Sequence, residues 1–391
     1  MGKKLMINKL AIWNSPSQLL VVYSEKSNQA GGSMEKKRIV FTGGGTAGHV
    51  TPNIALMNAL KHENYEFYYI GSKKGIEKDL MEKEGIPYYG ISSGKLRRYF
   101  DMENFKDVFR VMKGVFEARR ILKKLRPGLV FSKGGFVSVP VVVAARSLKI
   151  PIFIHESDIT PGLANKIAQR FATKIFTSFE EAKSYFPASK TTVIGSPIRR
   201  ELFTGSAERG RKFLGFHSTK PILTIMGGSL GARKINEAVR ALLPELTKEY
   251  QIVHLCGKNN LAPELGNYPG YRQFEYVHEE LPDILAATDV VITRGGSNAI
   301  FEFLALEIPM LIIPIGLDQS RGDQILNARS FAEKGFAVML RDEELTPETL
   351  LEQMKILQKQ KMKIKQAMQK ANRSRQDALT TLVNEIHNAV E

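Results

Sequence analysis

The sequence predicts an α/β protein made of two doubly wound domains in tandem. From Arg38 onward, short runs rich in Val, Ile and Phe alternate with stretches of helical period, as in a parallel sheet with crossover helices. The chain has 391 residues, more than the roughly 250–300 that one hydrophobic core supports. The apolar runs form two series, and the break at Gly195-Ser196-Pro197 predicts a hinge between two sheets.

Each series contains five candidate strands, and a turn and a helical segment follow each of them. The first series consists of Arg38–Thr42, Glu66–Ile70, Leu129–Ser132, Ile152–His155 and Lys174–Thr177. The second series consists of Ile222–Met226, Gln251–Cys256, Arg272–Tyr276, Val290–Thr293 and Met310–Pro314. This repeated order predicts parallel sheets whose loops meet at the carboxyl ends of the strands.

The predicted domains are residues 34–196 and residues 197–365. Residues 1–33 are polar, end in Gly-Gly-Ser before Met34, and are interpreted as a tag, linker or fused peptide. Residues 366–391 form a C-terminal helical segment, which we expect to pack back on the first domain. The single cysteine, Cys256, sits in a strand-like run, which favours a core position in a reducing compartment.

Positive charge is concentrated in the first domain. Residues 34–196 contain 27 Lys and Arg against 15 Asp and Glu, a net +12, whereas residues 197–391 contain 25 against 24, a net +1. Such asymmetry suits an anionic membrane, a polyanionic substrate or nucleic acid, or serves solubility alone. No uninterrupted apolar run approaches the ~20 residues of a membrane-spanning helix.

Four glycine-rich turns each follow a predicted strand and open a helix: Gly43–His49, Gly134–Ser138, Gly227–Ala232 and Gly295–Asn298. Glycine lets the backbone approach a ligand closely, and the free N–H groups at a helix start favour negative charge. Their number indicates phosphate binding, although any one of them could be glycine-rich for turn geometry alone.

The sequence argues against two other classes of nucleotide-binding protein, nicotinamide-dependent dehydrogenases and P-loop nucleotidases. The first turn matches GxGxxG through Gly43, Gly45 and Gly48, but the Phe67–Ser72 region lacks the acidic residue that would bind the ribose of a nicotinamide cofactor. The sequence also lacks the GxxxxGK[ST] pattern of a P-loop nucleotidase.

Two side chains are candidates for chemistry beside these turns. His49 ends the first turn, and an imidazole with a pKa near ~6.5 can take a hydroxyl proton at neutral pH. Glu302 follows the fourth turn at a distance that lets a carboxylate accept ribose hydroxyls. The sequence has neither an Asp-x-Asp pair in an apolar strand nor a His/Cys cluster, so we expect helix N-termini rather than a metal to meet leaving-group charge.

These motifs, taken together from about Arg38 to the C-terminus, resemble the MurG family, the lipid II-forming N-acetylglucosaminyltransferases of peptidoglycan synthesis with the GT-B fold. The motifs that carry the resemblance are GGGTAGHVTPNIAL, KGGFVSVP, IHESDITPGLANK, GSPIR, GGSLGARKIN, TRGGSNAIFE and PIGLDQSRGDQILNA. The resemblance implies two Rossmann-like domains that face each other across a cleft, with no cofactor and no metal.

The resemblance also implies that the second domain binds UDP-N-acetylglucosamine. Ser229 and neighbouring amides would meet the diphosphate, Glu302 the ribose, Val277 the uracil and Arg199 the nucleotide, while Asp323 and Gln324 would face the sugar. The complete set of implied donor-binding residues is Thr46, Gly48, Arg199, Gly228, Ser229, Val277, Ser297, Asn298, Glu302, Asp323 and Gln324.

By the same resemblance the first domain would bind lipid I. Its pyrophosphate would lie near Gly44, Gly45, Gly134 and Gly135, with Glu156 and Asp158 lining the cleft. His49 is the first candidate for the base, and Glu156 and Asp158 remain open as alternatives. The reaction would invert the anomeric carbon and give a β-1,4 linkage at the cytoplasmic face of a bacterial membrane, where other cell-wall synthesis or division proteins would be partners.

A basic and apolar segment, Lys95–Arg126, is the candidate membrane contact. It holds 11 Lys and Arg against 4 Asp and Glu. The apolar residues at helical spacing form a stripe that we expect a sheet to bury: Phe105, Val108, Phe109, Met112 and Phe116. The expected docking residues are therefore those before the stripe: Leu96, Arg97, Arg98, Tyr99 and Phe100.

Two other functions remain as alternatives. A UDP-N-acetylglucosamine epimerase of the same fold would need no lipid surface. A nucleic-acid-binding protein would explain the charge, but the sequence shows neither an aromatic platform among the basic residues nor a recognition helix. We therefore expect no nucleic-acid partner.

Overall fold

The computed structural model describes residues 36–94, 102–228, 231–374 and 376–390, without the side chains of residue 47 and residues 102–106. The described residues form one compact unit. It contains two parallel sheets flanked by helices, which confirms the predicted fold class.

The first sheet has seven parallel strands in the order β3-β2-β1-β4-β5-β6-β7. The order reverses between β1 and β4, so the loops after these two strands meet at the carboxyl edge of the sheet. The strands are β1 Lys37–Thr42, β2 Tyr65–Ser72, β3 Tyr88–Ile91, β4 Leu129–Ser132, β5 Ile152–Glu156, β6 Lys174–Thr177 and β7 Thr191–Val193. The helices around it are α1 Thr51–Leu60, α2 Ile76–Lys83, α3 Met102–Leu125, α4 Ser138–Ser147 and α5 Leu163–Ala168.

The second sheet has six parallel strands in the order β10-β9-β8-β11-β12-β13, and its order reverses between β8 and β11. The strands are β8 Ile222–Met226, β9 Gln251–Leu255, β10 Tyr271–Phe274, β11 Val290–Thr293, β12 Met310–Ile312 and β13 Ala337–Met339. The helices are α6 Ala207–Leu214, α7 Arg233–Ala241, α8 Leu243–Glu249, α9 Leu281–Ala287, α10 Ser297–Ala305, α11 Asp323–Glu333, α12 Pro347–Ser374 and α13 Ala378–Val390.

The ten predicted strands all occur, and the structure adds β3, β7 and β13. All three lie at an edge of a sheet. They are three or four residues long and partly exposed, so they lack the continuous apolar run of a strand that is covered on both faces.

The last two helices pack on different sheets. Helix α12 contacts β12 and β13, and its buried residues Leu350, Met354 and Met368 join the core of the second sheet. Helix α13 contacts α1 and β4 of the first sheet. The change of partner falls between α12 and α13, and residue 366, the expected start of the C-terminal segment, lies within α12.

The apolar stripe on α3 is exposed, which corrects the expectation that a sheet buries it. Val108, Phe109, Met112 and Phe116 are 49%, 70%, 52% and 70% exposed. The helix instead buries small and aliphatic residues, Gly114, Ala118, Leu122 and Leu125. A Cβ on Gly114 would lie 2.1 Å from the carbonyl oxygen of Ser92 and 3.2 Å from Pro140, so the close packing of α3 on α4 selects the face with the small residues.

Candidate functional site

The first glycine turn presents His49 with a defined tautomer. Its Nδ1 lies 3.1 Å from the carbonyl oxygen of Gly44 and 3.1 Å from the hydroxyl of Thr46. Because a carbonyl can only accept, Nδ1 carries the hydrogen, and Nε2 keeps its lone pair. Burial lowers the pKa of His49, and the Lys133 ammonium lowers it further, while Asp158 acts in the opposite direction. A neutral imidazole with a free Nε2 is suited to accept a proton.

Buried polar side chains hold this turn in place. The Tyr69 hydroxyl donates to the carbonyl of Gly43 at 2.8 Å, and the Asn53 amide donates to the carbonyl of Thr42 at 3.3 Å. The fully buried Glu77 carboxylate accepts from the amide of Gly45 at 3.4 Å. Sequence reasoning missed Glu77, because an acid in the first turn of α2 resembles any solvated helix acid.

The second glycine turn packs directly against the first. The amide of Gly44 donates to the carbonyl of Gly134 at 3.3 Å. Gly135 has a φ of +83°, and a Cβ there would lie 2.2 Å from the carbonyl oxygen of Gly44. Contact between the turns therefore requires this glycine, independently of any ligand.

Of the four glycines assigned to the lipid I pyrophosphate, only Gly45 faces open space at its Cβ position. The amides of Gly44 and Gly45 already have acceptors in Gly134 and Glu77. A pyrophosphate bound here would depend on other donors or on rearrangement of these two bonds.

The Glu156 carboxylate organises the loop that follows β5. Glu156 is 5% exposed, and its oxygens accept from the amide of Asp158 at 3.0 Å, the amide of Gly162 at 3.2 Å and the side chain of Asn165 at 2.9 Å. Burial and the nearby Asp158 carboxylate raise the pKa of Glu156. Three of the roughly four lone-pair positions of this carboxylate are engaged in shaping the loop, so it is less available to take a proton than Nε2 of His49.

On the donor side, Arg199 and Glu302 form a two-point ion pair. The guanidinium Nε lies 2.9 Å from one carboxylate oxygen of Glu302, and a terminal nitrogen lies 3.1 Å from the other. Arg199 follows the hinge, and Glu302 lies on α10 after the fourth glycine turn. The structure thus brings together two residues that the sequence assigned separately to the nucleotide.

The glycine turns of the second domain leave room beside the backbone. Gly228 has a φ of +98°, and among the described residues no atom lies within 4 Å of a Cβ built on it or on Gly296. Ser297 opens α10 and is buried, and Val277 is half-buried against the core of the second sheet. Ser229 lies outside the described residues. Space beside two backbone turns at helix starts is the arrangement that a diphosphate uses.

The two domains meet through the residues assigned to the substrates. The Asn298 amide of the fourth turn donates to the carbonyl of Gly48 at 2.8 Å, which places the fourth glycine turn beside the turn that carries His49 and Thr46. The Asn327 amide donates to Asp158 at 2.8 Å. The sequence did not identify Asn327, because nothing in a helical pattern shows which side chain crosses to another domain.

Asp323 and Gln324, expected to face the sugar, are engaged within the protein. The Thr160 hydroxyl donates to Asp323 at 2.6 Å. The amides of Gly295 and Ile315 donate to the side-chain oxygen of Gln324 at 3.1 and 3.2 Å. Gln324 therefore fixes the fourth glycine turn, and Asp323 joins the two domains through Thr160.

The described residues contain no group of three or more His, Cys, Asp or Glu side chains placed to hold a metal ion. Within the same part of the chain, no helix is long and apolar enough to cross a membrane. The docking residues expected at positions 96–100 lie outside the described residues.

Comparison with known proteins agrees with this architecture. The glycosyltransferase family 28 N-terminal domain matches residues 39–177, and the family 28 C-terminal domain matches residues 222–382. A UDP-N-acetylglucosamine--N-acetylmuramyl-(pentapeptide) pyrophosphoryl-undecaprenol N-acetylglucosamine transferase 2 of Bacillus cereus is 58% identical over 90% of this chain and 100% of its own length. A second relative, from Clostridium perfringens, has the same name without the final number. It is 54% identical over 86% of this chain and 94% of its own length.

Among solved structures, MurG of Acinetobacter baumannii aligns with a TM-score of 0.70 and 25% identity, over 90% of this chain and 99% of its own. The relatives do not favour the epimerase or the nucleic-acid-binding alternative. Both halves of the chain match the two domains of one family in the correct order, and close relatives match over nearly their whole length. The chain therefore belongs to glycosyltransferase family 28 and, within it, to the MurG family of N-acetylglucosamine transferases.

Proposed function

We propose that this protein transfers N-acetylglucosamine from UDP-N-acetylglucosamine to the C4 hydroxyl of the N-acetylmuramoyl group of lipid I, which forms lipid II. The observation that carries the mechanism is the contact between the donor turn and the turn of His49, through Asn298 and Gly48. This contact supports a role for His49 at the junction of the two domains, because its Nδ1 is bonded to Gly44 and its Nε2 has no hydrogen-bond partner among the described residues.

In the proposed reaction His49 acts as the general base. Nε2 takes the proton of the acceptor hydroxyl as that oxygen attacks the anomeric carbon of the donor sugar. The bond from this carbon to the β-phosphate oxygen breaks, and the electron pair leaves with UDP. Attack opposite the leaving group inverts the anomeric carbon from α to β.

The charge that develops on UDP is met without a metal in this proposal. The turns at Gly228 and Gly296 leave space beside backbone at the starts of α7 and α10. Unpaired amides at a helix start carry partial positive charge and stabilise a phosphate. Glu302, held by Arg199, accepts the ribose hydroxyls.

Glu156 acts as a positioning residue in this proposal. Three N–H donors occupy its carboxylate, and they fix the loop that carries Asp158 beside the cleft. The direct role in proton transfer is left to His49.

We also propose that α3 docks the protein on the cytoplasmic face of an anionic membrane. Phe109 and Phe116 lie on its exposed apolar stripe, and basic residues follow along the helix at Arg119, Arg120 and Lys123. Insertion of the apolar side chains combines with electrostatic attraction of the basic residues, and each basic residue contributes about 1 kcal/mol near an anionic surface. Together these contributions give reversible peripheral binding. The exposed stripe would act together with the docking residues expected at positions 96–100.

Incubation with radiolabelled UDP-N-acetylglucosamine and lipid I, followed by lipid extraction, tests the transfer. We expect label in the lipid fraction only when lipid I is present, and free UDP in equal amount. Release of free sugar or its epimer, with no labelled lipid, would contradict the proposal and favour the epimerase.

A further inference from the structure

A buried lysine, Lys133, lies between the two glycine turns of the first domain and has no role in the proposed chemistry so far. It follows β4 and is 2% exposed. Its ammonium nitrogen lies 2.5 Å from Nδ1 of His155 and also donates to the hydroxyl of Ser157. Both direct partners are uncharged acceptors, which is an unusual environment for a buried lysine.

The hydrogen-bond pattern defines the partners of this ammonium. Nε2 of His155 lies 3.0 Å from the carbonyl of Gly195, so Nε2 carries the hydrogen and Nδ1 is left with a lone pair. That lone pair accepts from Lys133. His155 is fully buried, and burial together with the nearby ammonium lowers its pKa well below the usual value. The imidazole is therefore a neutral acceptor for Lys133.

The position of Lys133 connects this buried bond to the candidate base. Its amide donates to the carbonyl of Thr42 at 3.0 Å. Its own Cβ lies 3.3 Å from the point that a Cβ on Gly43 would occupy, directly beside the turn that carries His49. Lys133 thus lies between the His49 turn on one side and the loop after β5 on the other.

We propose that Lys133 is a positioning residue for the transfer: its side-chain nitrogen holds His155 and Ser157 at the end of β5 and brings its charge beside the turn that carries His49. This inference rests on the proposed role of His49 as the base. It assigns a role to the lysine of the KGGFVSVP motif.

The charged groups around His49 come from three elements. Lys133 follows β4 and Asp158 follows β5, while Arg321 precedes α11. Lys133 and Arg321 lower the pKa of His49, and Asp158 raises it. Around Lys133 itself, burial lowers the pKa of the ammonium, and the carboxylates of Glu156 and Asp158 raise it. The net effect lowers the pKa of Lys133 to about 7, so the ammonium is present below neutral pH, where His49 titrates.

The sign of the effect follows from these directions. A base must be neutral to act, so a lowered pKa of His49 extends activity toward acidic pH. Loss of the ammonium should raise this pKa. The acidic limb of the kcat/KM profile would then move to higher pH.

The test compares Lys133→Met, which keeps the length of the side chain without its charge, with Lys166→Met. Lys166 is an exposed lysine on α5 of the same domain and serves as the matched control. Histidine pKa values are measured by NMR in enzyme labelled at histidine, and the His49 signal is assigned by its loss in His49→Gln. We expect His49 in the wild type to titrate below ~6.5, and to titrate higher in Lys133→Met only.

An unchanged His49 pKa in a folded Lys133→Met variant would overturn the inference. If that variant does not fold, the wild-type titration decides, because a His49 pKa at or above the ordinary value also contradicts it. The titration requires no transfer. If Lys133→Met raises the pKa of His49 but His49→Gln retains full turnover, the base assignment fails while the electrostatic effect of Lys133 stands.

Discussion

The ion pair between Arg199 and Glu302 leads to a quantitative prediction for donor binding. Arg199 binds both carboxylate oxygens, and each oxygen keeps a second lone pair that can accept a ribose hydroxyl. The Glu302 side chain is 13% exposed, so it is largely shielded but remains accessible to a ligand. Glu302→Ala should therefore remove two hydrogen bonds to UDP, and it also releases Arg199 from its ion pair.

The size of the effect follows from this environment. A hydrogen bond to a charged group contributes about 1.5–3 kcal/mol. Arg199 already partly neutralises the carboxylate, so we expect about 2–3 kcal/mol for the two bonds together. This is roughly a 30- to 150-fold increase in Kd. The loss should be equal for UDP and for UDP-N-acetylglucosamine, because the sugar lies beyond the ribose.

Isothermal titration calorimetry with UDP and with 2′,3′-dideoxy-UDP distinguishes the loss of the hydrogen bonds to the ribose hydroxyls from damage to the rest of the binding site. Wild type and Glu302→Ala should differ for UDP and bind the dideoxy analogue alike. Glu208→Ala, an exposed acid on α6, is the matched control and should bind UDP as the wild type does. An equal loss for both ligands, or unchanged UDP binding in Glu302→Ala, would refute the assignment.

Three further predictions follow from the same account. His49→Gln should lower kcat by roughly 10²–10⁴ and leave the Kd for UDP unchanged; undiminished turnover in the folded variant would exclude His49 as the base. The double change Phe109→Ser and Phe116→Ser should weaken sedimentation with phosphatidylglycerol vesicles, whereas Phe213→Ser, an exposed phenylalanine of the second domain, should not. Equal binding of all three proteins would exclude α3 as the docking surface. Removal of residues 1–33 should leave transfer to a soluble lipid I analogue unchanged, and a large loss in a folded protein would show that the segment is functional.

The sequence predicted the central strands because they are covered on both faces and therefore form continuous apolar runs. It missed β3, β7 and β13, since edge strands of three or four residues can be partly polar. It also misplaced the face of α3. The helical spacing of the apolar residues located a stripe on α3. However, the buried face is the one with the small residues Gly114 and Ala118, because they allow close packing.

At the site, the sequence located the glycine turns, His49 and Glu302 from residue type and position after strands. It could not distinguish glycines that face open space, such as Gly45, from Gly135, whose missing Cβ permits contact between two turns. It also gave no signal for Lys133 or Asn327, because the role of each depends on a partner that only the folded chain brings close.

The stereochemistry of the product in the presence of a chelator tests the central claim most directly. Transfer from UDP-N-acetylglucosamine labelled with ¹³C at the anomeric carbon is run to completion in EDTA, and the linkage is determined by NMR. The proposed mechanism predicts a β-linked lipid product at the same rate as without EDTA, because His49 and the helix N-termini perform the chemistry. An α-linked product, or activity lost in EDTA and restored by magnesium or manganese, would contradict it.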